Sequence, residues 1–426
     1  METRLPTLLG LACLVLAACS AGSTPTAPTP PAGAAETASQ SAPATSTGSA
    51  TAAPTTSATA RSSPLAPDDP GAYVHVLVPS WRPVGPTVVV DRRPDVGNGR
   101  VITAVAIGGG APVDLVALAS GDGDWDIRPD GSAIVTAINY YCAGGTCAPR
   151  TSRLAVIDLV SGAARWLMAD DASQAQGWPR WSADGMSLFY GATDARASER
   201  TDLGIFRVRA DGTGRARLTE PLPPGAAAFG QHYSFAMPQR VTSDGLLFWI
   251  AWSGDRDALR VRDLASGADR AFIAQVDCPR VAAVRSAAPA ALVRDDGCQS
   301  PSRRLVLWDV RTGAETVLVA GPVVYDADWD PAGARIVAAI VSDLASSVSQ
   351  LVMIDGRDRT PIRDTERAVS VRWLSGGIVY GTLATPSSAD CVFGVSDIRF
   401  IPNGGAARTI YSGCALGPVT PVGPGN

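Results

Sequence analysis

Two short runs alternate aspartate with other residues: Asp122-Gly123-Asp124-Trp125-Asp126 and Asp326-Ala327-Asp328-Trp329-Asp330. In an extended strand residues two apart share a face, so each triplet aims several carboxylates in one direction. Arg180 and Arg372 immediately precede Trp181 and Trp373, in the place that Asp124 and Asp328 hold before Trp125 and Trp329, so the same surface carries both signs. An all-oxygen ligand set suits Ca²⁺, and a mixed-charge mouth suits a basic peptide segment. Neither triplet is followed by the glycine of an EF-hand loop, which leaves solvated strand ends and turn caps as the competing reading.

Other chemistries are narrowed by composition. The chain has two histidines, His75 and His232, so a site of three clustered imidazoles cannot be assembled. His75 alternates with Val74 and Val76 and reads as the polar face of a strand; His232 stands beside Tyr233 as a loop or packed residue. No Gly-x-Ser-x-Gly elbow occurs, and only about ten residues follow Cys414, so no hydrolase domain is expected after it. Paired carboxylates for glycoside hydrolysis stay open, because 40 acidic residues make close pairs inevitable. All 36 basic charges are arginine and the net charge is -4, which argues against a nucleic-acid surface.

The N-terminus supplies an address. Arg4 precedes an apolar run from Leu8 to Ala18, too short to span a bilayer at about 20 residues and suited to a signal h-region. The run ends in Leu16-Ala17-Ala18-Cys19, which resembles the bacterial lipobox. The resemblance implies cleavage before Cys19, acylation of that cysteine, and a stable anchor on the outer side of the cell membrane, or on the outer membrane of a diderm. From Ser20 to about Pro67 the chain is almost wholly Ala, Ser, Thr, Pro and Gly, with Glu36 and Arg61 as its charges. That composition buries no core and reads as a stalk, reaching on the order of 150 Å if fully polyproline-like. The expected division is a signal at 1–18, a lipid-anchored stalk at 19–70 and a folded domain at 71–426.

Six cysteines remain beyond the signal and anchor: Cys142, Cys147, Cys278, Cys298, Cys391 and Cys414. An even number in an exported chain implies disulfides, with fifteen connectivities. Spacing favours Cys142 with Cys147, Cys278 with Cys298, and Cys391 with Cys414.

From Tyr73 onward two turn elements alternate. An apolar anchor stands four to six residues before a glycine at Trp81, Trp125, Trp181, Val241, Trp329 and Trp373, with a copy near Val284 that lacks the glycine; the anchors lie 43 to 60 residues apart. A tight glycine turn between apolar runs follows each, at Gly109, Gly162, Gly212, Gly267, Gly313, Gly356 and Gly404. Three of these share the spelling of Asp158-Leu159-Val160-Ser161-Gly162, in which the carboxylate accepts backbone N–H groups and glycine supplies positive φ. Two strands around each element make a four-stranded unit, and radial repetition of such units makes a β-propeller. Two stacked sandwiches are the competing fold, disfavoured by the sevenfold alternation.

Trp181-Ser182-Ala183-Asp184-Gly185 and Trp125-Asp126-Ile127-Arg128-Pro129-Asp130-Gly131 resemble the repeats of TolB-type propellers, and Trp308-Asp309 with Gly313 is similar to the WD-repeat hairpin. The likeness covers roughly residues 73–415. It implies an all-β propeller of four-stranded antiparallel blades; the count here is seven, with six or eight as the neighbouring numbers, although the family is typically six-bladed. It also implies loop faces and a channel mouth offered to proteins or short peptides. The expected function is therefore a monomeric cell-envelope lipoprotein whose propeller binds an envelope or extracellular protein, a peptide or a small ligand without transforming it, with no cofactor beyond a candidate Ca²⁺. The alternative is an extracellular enzyme acting on cell-wall or extracellular glycans through channel-mouth carboxylates.

Overall fold

A computed structural model describes residues 69–422, apart from 93–98, 120–123, 140–151, 170–172, 195–200, 224–226, 229–230, 233, 253–256, 273–277, 286–287, 296–303, 344–347, 384–394 and 416–418. The predicted signal and nearly all of the predicted stalk lie outside these residues. All described residues fall within one unit, Arg61–Asn426.

The middle strands explain the architecture. Ala290–Asp295, for example, buries Ala291 and Val293 in one apolar cluster and Leu292 in another, so successive side chains feed different cores. A strand buried on both faces needs a sheet packed on each side of it. Among the described residues there are seven such clusters, each shared by two antiparallel units that follow one another in the chain, the seventh joining the last unit to the first; five units are separate four-stranded sheets, while the first and last are joined through the bridge Arg92↔Ala415 into one nine-stranded sheet. The sheets therefore close a ring, and the chain is a β-propeller of seven blades.

Blade 2 runs from Trp125 to Trp166, blade 3 from Gln174 to Arg217, blade 4 from Phe235 to Ala271, blade 5 from Pro279 to Ala320, blade 6 from Val324 to Pro361 and blade 7 from Ala368 to Ala415. In each of these the first strand is innermost and the sheet grows outward in sequence order. Blade 1 is built differently: Thr87–Arg92, Arg100–Ala106 and Val113–Leu118 follow in order, while the place beside Thr87–Arg92 is taken by the C-terminal strand Thr420–Val422, in register from Thr87↔Val422 to Val89↔Thr420. Val419 and Val422 are buried. The chain ends are thus tied into one sheet, with Val74–Val76 added on its outer side.

The glycine hairpins form as expected, whereas Trp81 lies outside any strand and anchors no innermost strand of blade 1. Asp158 Oδ1 accepts the N–H groups of Val160 and Ser161, each at 2.8 Å, and Gly162 sits at φ 76°. Asp263 and Asp309 repeat the same bonds before Gly267 and Gly313. The fifth repeat, weakest in sequence, forms a complete blade in which Val284 pairs with Ala291.

Every junction also carries a polar link. Trp125 Nε1 donates to Asp91 (3.0 Å), the Trp181 amide to Asp126 (2.8 Å), Arg180 Nε to the Gln239 carbonyl (3.2 Å), and Arg280 to Asp257 (2.5 Å). Arg285 reaches the Gly333 carbonyl, the Trp373 amide donates to Asp328 (2.8 Å), and Arg408 donates to the Ile107 carbonyl (2.7 Å). Guanidinium groups also lie over tryptophan rings of the next blade, Arg128 on Trp181, Arg285 on Trp329 and Arg335 on Trp373.

Candidate functional site

The innermost strands are aligned by their turns. The residue after the anchor donates its amide across the turn in four blades: Arg128 to Ala133, Ser182 to Ser187, Thr242 to Leu246 and Asp330 to Arg335, at 2.8–2.9 Å. Ile127, Trp181, Val241 and Trp329 are therefore equivalent, each four residues before its glycine. This corrects one expectation. The anchor of blade 2 is Ile127 rather than Trp125, so Arg180 corresponds to Asp126 and not to Asp124. The tryptophan misleads because blade 2 places its indole two residues earlier, where Nε1 binds Asp91.

Immediately before the anchor, blades 2, 3, 4, 6 and 7 carry Asp126, Arg180, Arg240, Asp328 and Arg372. Strand geometry turns these residues away from the cluster that holds the anchor. Asp126, Arg180, Arg240 and Arg372 line a cavity of about 540 Å³ on which all seven innermost strands converge, blade 1 through Thr420 and blade 5 through Arg280, Val281 and Ala282. Trp125 and Tyr325 add aromatic wall, and six arginines against four aspartates make the lining net cationic.

The structure sorts the predicted acids. Asp124 and Asp126 share the cavity wall as two-residue spacing requires, with Asp326 on the blade 6 side. Asp328 is engaged between blades, accepting the Trp329 amide at 2.9 Å and the Trp373 amide at 2.8 Å. Asp330 is a turn cap: it accepts the Ala334 and Arg335 amides at 2.6 and 3.0 Å and pairs with Arg335 at 3.3 Å. Burial pushes its pKa up, but these bonds outweigh burial and leave it below the ordinary value. Asp122 lies outside the described residues. Among the described residues no three His, Cys, Asp or Glu side chains gather as a metal site.

Electrostatics distinguishes the remaining groups. Desolvation raises the pKa of Asp126 above the ordinary carboxylate value, against the pull of Arg180, the Trp181 amide and Arg240. Desolvation likewise raises Asp328, against Arg372 and the Trp373 amide. Asp326 is buried, pairs with Arg372 at 2.7 Å and accepts the Ala327 and Val371 amides at 3.0 and 3.1 Å. Asp124 is more open and stands 3.6 Å from Arg180. The spacing of Val241 to Gly245 marks it as an anchor in the sequence, but Arg240 before it carries no further local mark, and its place at the cavity comes from the blades around it.

Of the cysteines, Cys278 and Cys414 are disulfide-bonded, while Cys142, Cys147, Cys298 and Cys391, like Cys19, lie outside the described residues. His75 is exposed on its strand, and Trp249 is buried between blades 3 and 4 as expected of an interface residue.

No protein-family model and no curated protein matches the chain. Solved structures do. A puromycin hydrolase is 16% identical with a TM-score of 0.54, covering 83% of this chain and 56% of that one. A prolyl endopeptidase is 14% identical with a TM-score of 0.53, covering 83% and 51%. TolB from Acinetobacter baumannii is 15% identical with a TM-score of 0.42, covering 67% and 65%. The chain thus spans about half the length of the first two and under two thirds of the third. At these identities the likeness is one of fold. It nonetheless overturns the expectation of a propeller that binds without transforming, and of a chain that is no enzyme: the puromycin hydrolase and the prolyl endopeptidase are both enzymes. That expectation leaned on histidine scarcity, which excludes imidazole metal sites and leaves carboxylate chemistry untouched.

Proposed function

We propose that the chain is an exported, lipid-anchored propeller enzyme that acts on an extracytoplasmic glycan in the channel cavity. The observation that carries this reading is the pair Asp124 and Asp126 on one wall: neighbouring carboxylates in unlike surroundings, one open and beside Arg180, the other driven toward its protonated form by desolvation. Glycoside hydrolysis needs that division, a protonated carboxyl to give its proton to the leaving oxygen and a carboxylate to act on the sugar or on water. Asp126 is assigned the first role and Asp124 the second. Trp125 and Tyr325 offer faces for sugar rings. Arg180 stands between the two roles, paired with Asp124 while its field acts on Asp126.

The lipobox-like Leu16-Ala17-Ala18-Cys19 supports an anchor, and the Ala/Pro/Ser/Thr-rich stretch supports a spacer that carries the propeller clear of the membrane. Cys278 with Cys298, Cys391 with Cys414, and Cys142 with Cys147 are the proposed staples. Palmitate labelling of the wild type and not of Cys19→Ala is expected; equal labelling overturns the anchor. For the activity, the full-length protein in detergent is incubated with a panel of bacterial and extracellular glycans and new reducing ends are counted. Turnover that falls at least a hundredfold in both Asp126→Asn and Asp124→Asn supports the assignment. Absence of turnover across the panel, or turnover indifferent to both substitutions, overturns it.

A further inference from the structure

Most guanidinium groups at the cavity are matched. Arg100 pairs with Asp91, Arg180 with Asp124, Arg372 with Asp326 and Arg280 with Asp257. Arg240 differs from them. It projects from the innermost strand of blade 4, and among the described residues its guanidinium has no hydrogen-bond or ion-pair partner. Its field comes from four groups on four other blades: Arg372 and Arg180 repel it, while Asp126 and Asp326 attract it from beyond ion-pair distance. Desolvation, reinforced by the two arginines, lowers its pKa to about 10, so it stays charged at neutral pH. A desolvated cation without a matching anion is costly, and among the described residues no carboxylate stands within ion-pair distance of it. Arginine also offers a planar fork of donors matched to carboxylate and phosphate oxygens.

We infer that Arg240 is the seat of an oxyanion in the channel, with Arg180 and Arg372 flanking it, and that the substrate is an acidic glycan bearing a sugar carboxylate or a phosphoryl group. This rests on the reading of the cavity as a glycan site and names the substrate class for it. The anion replaces the missing counter-charge, and the glycan it anchors lies in the cavity that Asp126 also lines.

Calorimetry on the full-length protein in detergent tests the seat with three probes: sodium glucuronate, inorganic phosphate and uncharged glucose. Either anion is expected to bind at least tenfold more tightly than glucose, and whichever binds more tightly identifies the source as sugar carboxylate or phosphoryl group. Arg240→Gln is expected to weaken that binding at least tenfold, and Arg240→Lys, which keeps the charge and loses the fork, by a smaller factor; the lysine variant carries the test if the glutamine variant does not fold. Glucose binding equal to that of the anions, or anion affinity unchanged in a folded Arg240 variant, overturns the seat. The two readings fail separately. Anion binding without turnover of any glycan keeps the seat and removes the enzyme; turnover that Arg240→Gln leaves intact removes the seat alone.

Discussion

Blades 2 and 6 carry the same alternation of acids on innermost strands nearly opposite one another in the ring, yet they use it differently. Asp126 and Asp328 are register equivalents, and each accepts the amide of the tryptophan that begins the next blade's turn, at 2.8 Å in both cases. Their companions diverge. Asp326 is buried under Arg372 and two amides, whereas Asp124 is open and reaches Arg180 only at 3.6 Å. A repeat can thus keep one carboxylate as an inter-blade link in two places while only one of them retains a second acid free to meet a ligand. The blade 6 side reads as frame and the blade 2 side as working wall.

Removing the frame should have the largest effect. Asp326→Ala leaves Arg372 inside the protein without its counter-charge, and loss of one partner of a buried pair costs about 3–5 kcal/mol. Urea unfolding is expected to show a loss of that size. A change below about 1 kcal/mol would mean that the blade 6 acids are no more structural than those of blade 2.

Second in size is the effect on turnover. Loss of a positioned proton donor costs about 10²–10⁴-fold in rate. Asp126→Asn should therefore lower glycan turnover by that factor, while Asp328→Asn, its equivalent across the ring, should leave turnover within a few-fold of wild type. Equal losses in the two variants would erase the distinction between wall and frame.

Much of this arrangement was legible before any coordinates, and the parts that were not share a cause. Repeat number, blade composition and both turn elements follow from local patterning, because the glycines and aspartates of a turn act within a few residues, as Asp158 and Gly162 do. Closure of blade 1 by Thr420–Val422 was hidden, since that strand is three residues long and pairs with residues more than 300 positions away. The frame shift at Trp125 was hidden as well: the indole's partner, Asp91, belongs to another blade. Arg240 precedes an anchor that the sequence marks, yet the charges that converge on it come from four other blades. Site chemistry here depends on which residues seven separate strands bring to one axis, and no window of sequence spans that.

Titration offers a third way to probe the comparison. The folded pKa of Asp328 is raised by desolvation, so the folded state binds more protons than the unfolded one between the unfolded and folded pKa values. Its contribution to stability is therefore present at acid pH and is lost as pH rises through the folded pKa. Asp328→Asn removes that loss and keeps an oxygen to accept the Trp373 amide. Melting temperatures measured from pH 4 to pH 8 should fall for the wild type relative to this variant as pH rises, and the Asp126→Asn variant should show the same sign, because its parent carboxyl is raised by the same cause. Parallel curves for variants and wild type would remove desolvation as the property the two positions share.

The smallest expected effect belongs to the residue that gives the working wall its freedom. Asp124 and Arg180 are both partly open to solvent, and at 3.6 Å their attraction is screened and offset by the cost of ordering two side chains. Asp124→Ala should therefore change the unfolding free energy by less than about 1 kcal/mol. The change should shrink further when salt is raised from about 0.05 to 0.5 M, as the screening length falls. A salt-insensitive loss matching that of Asp326→Ala would instead place Asp124 in the frame, and Arg180 would then be the tied partner of a structural pair rather than a charge available to the cavity. The contrast matters because Asp126 is itself tied to the next blade through the Trp181 amide, so the second acid of the pair is the one that must be free to meet the sugar. A weakly held Asp124 beside a strongly held Asp326 is what lets one channel be rigid on one side and reactive on the other.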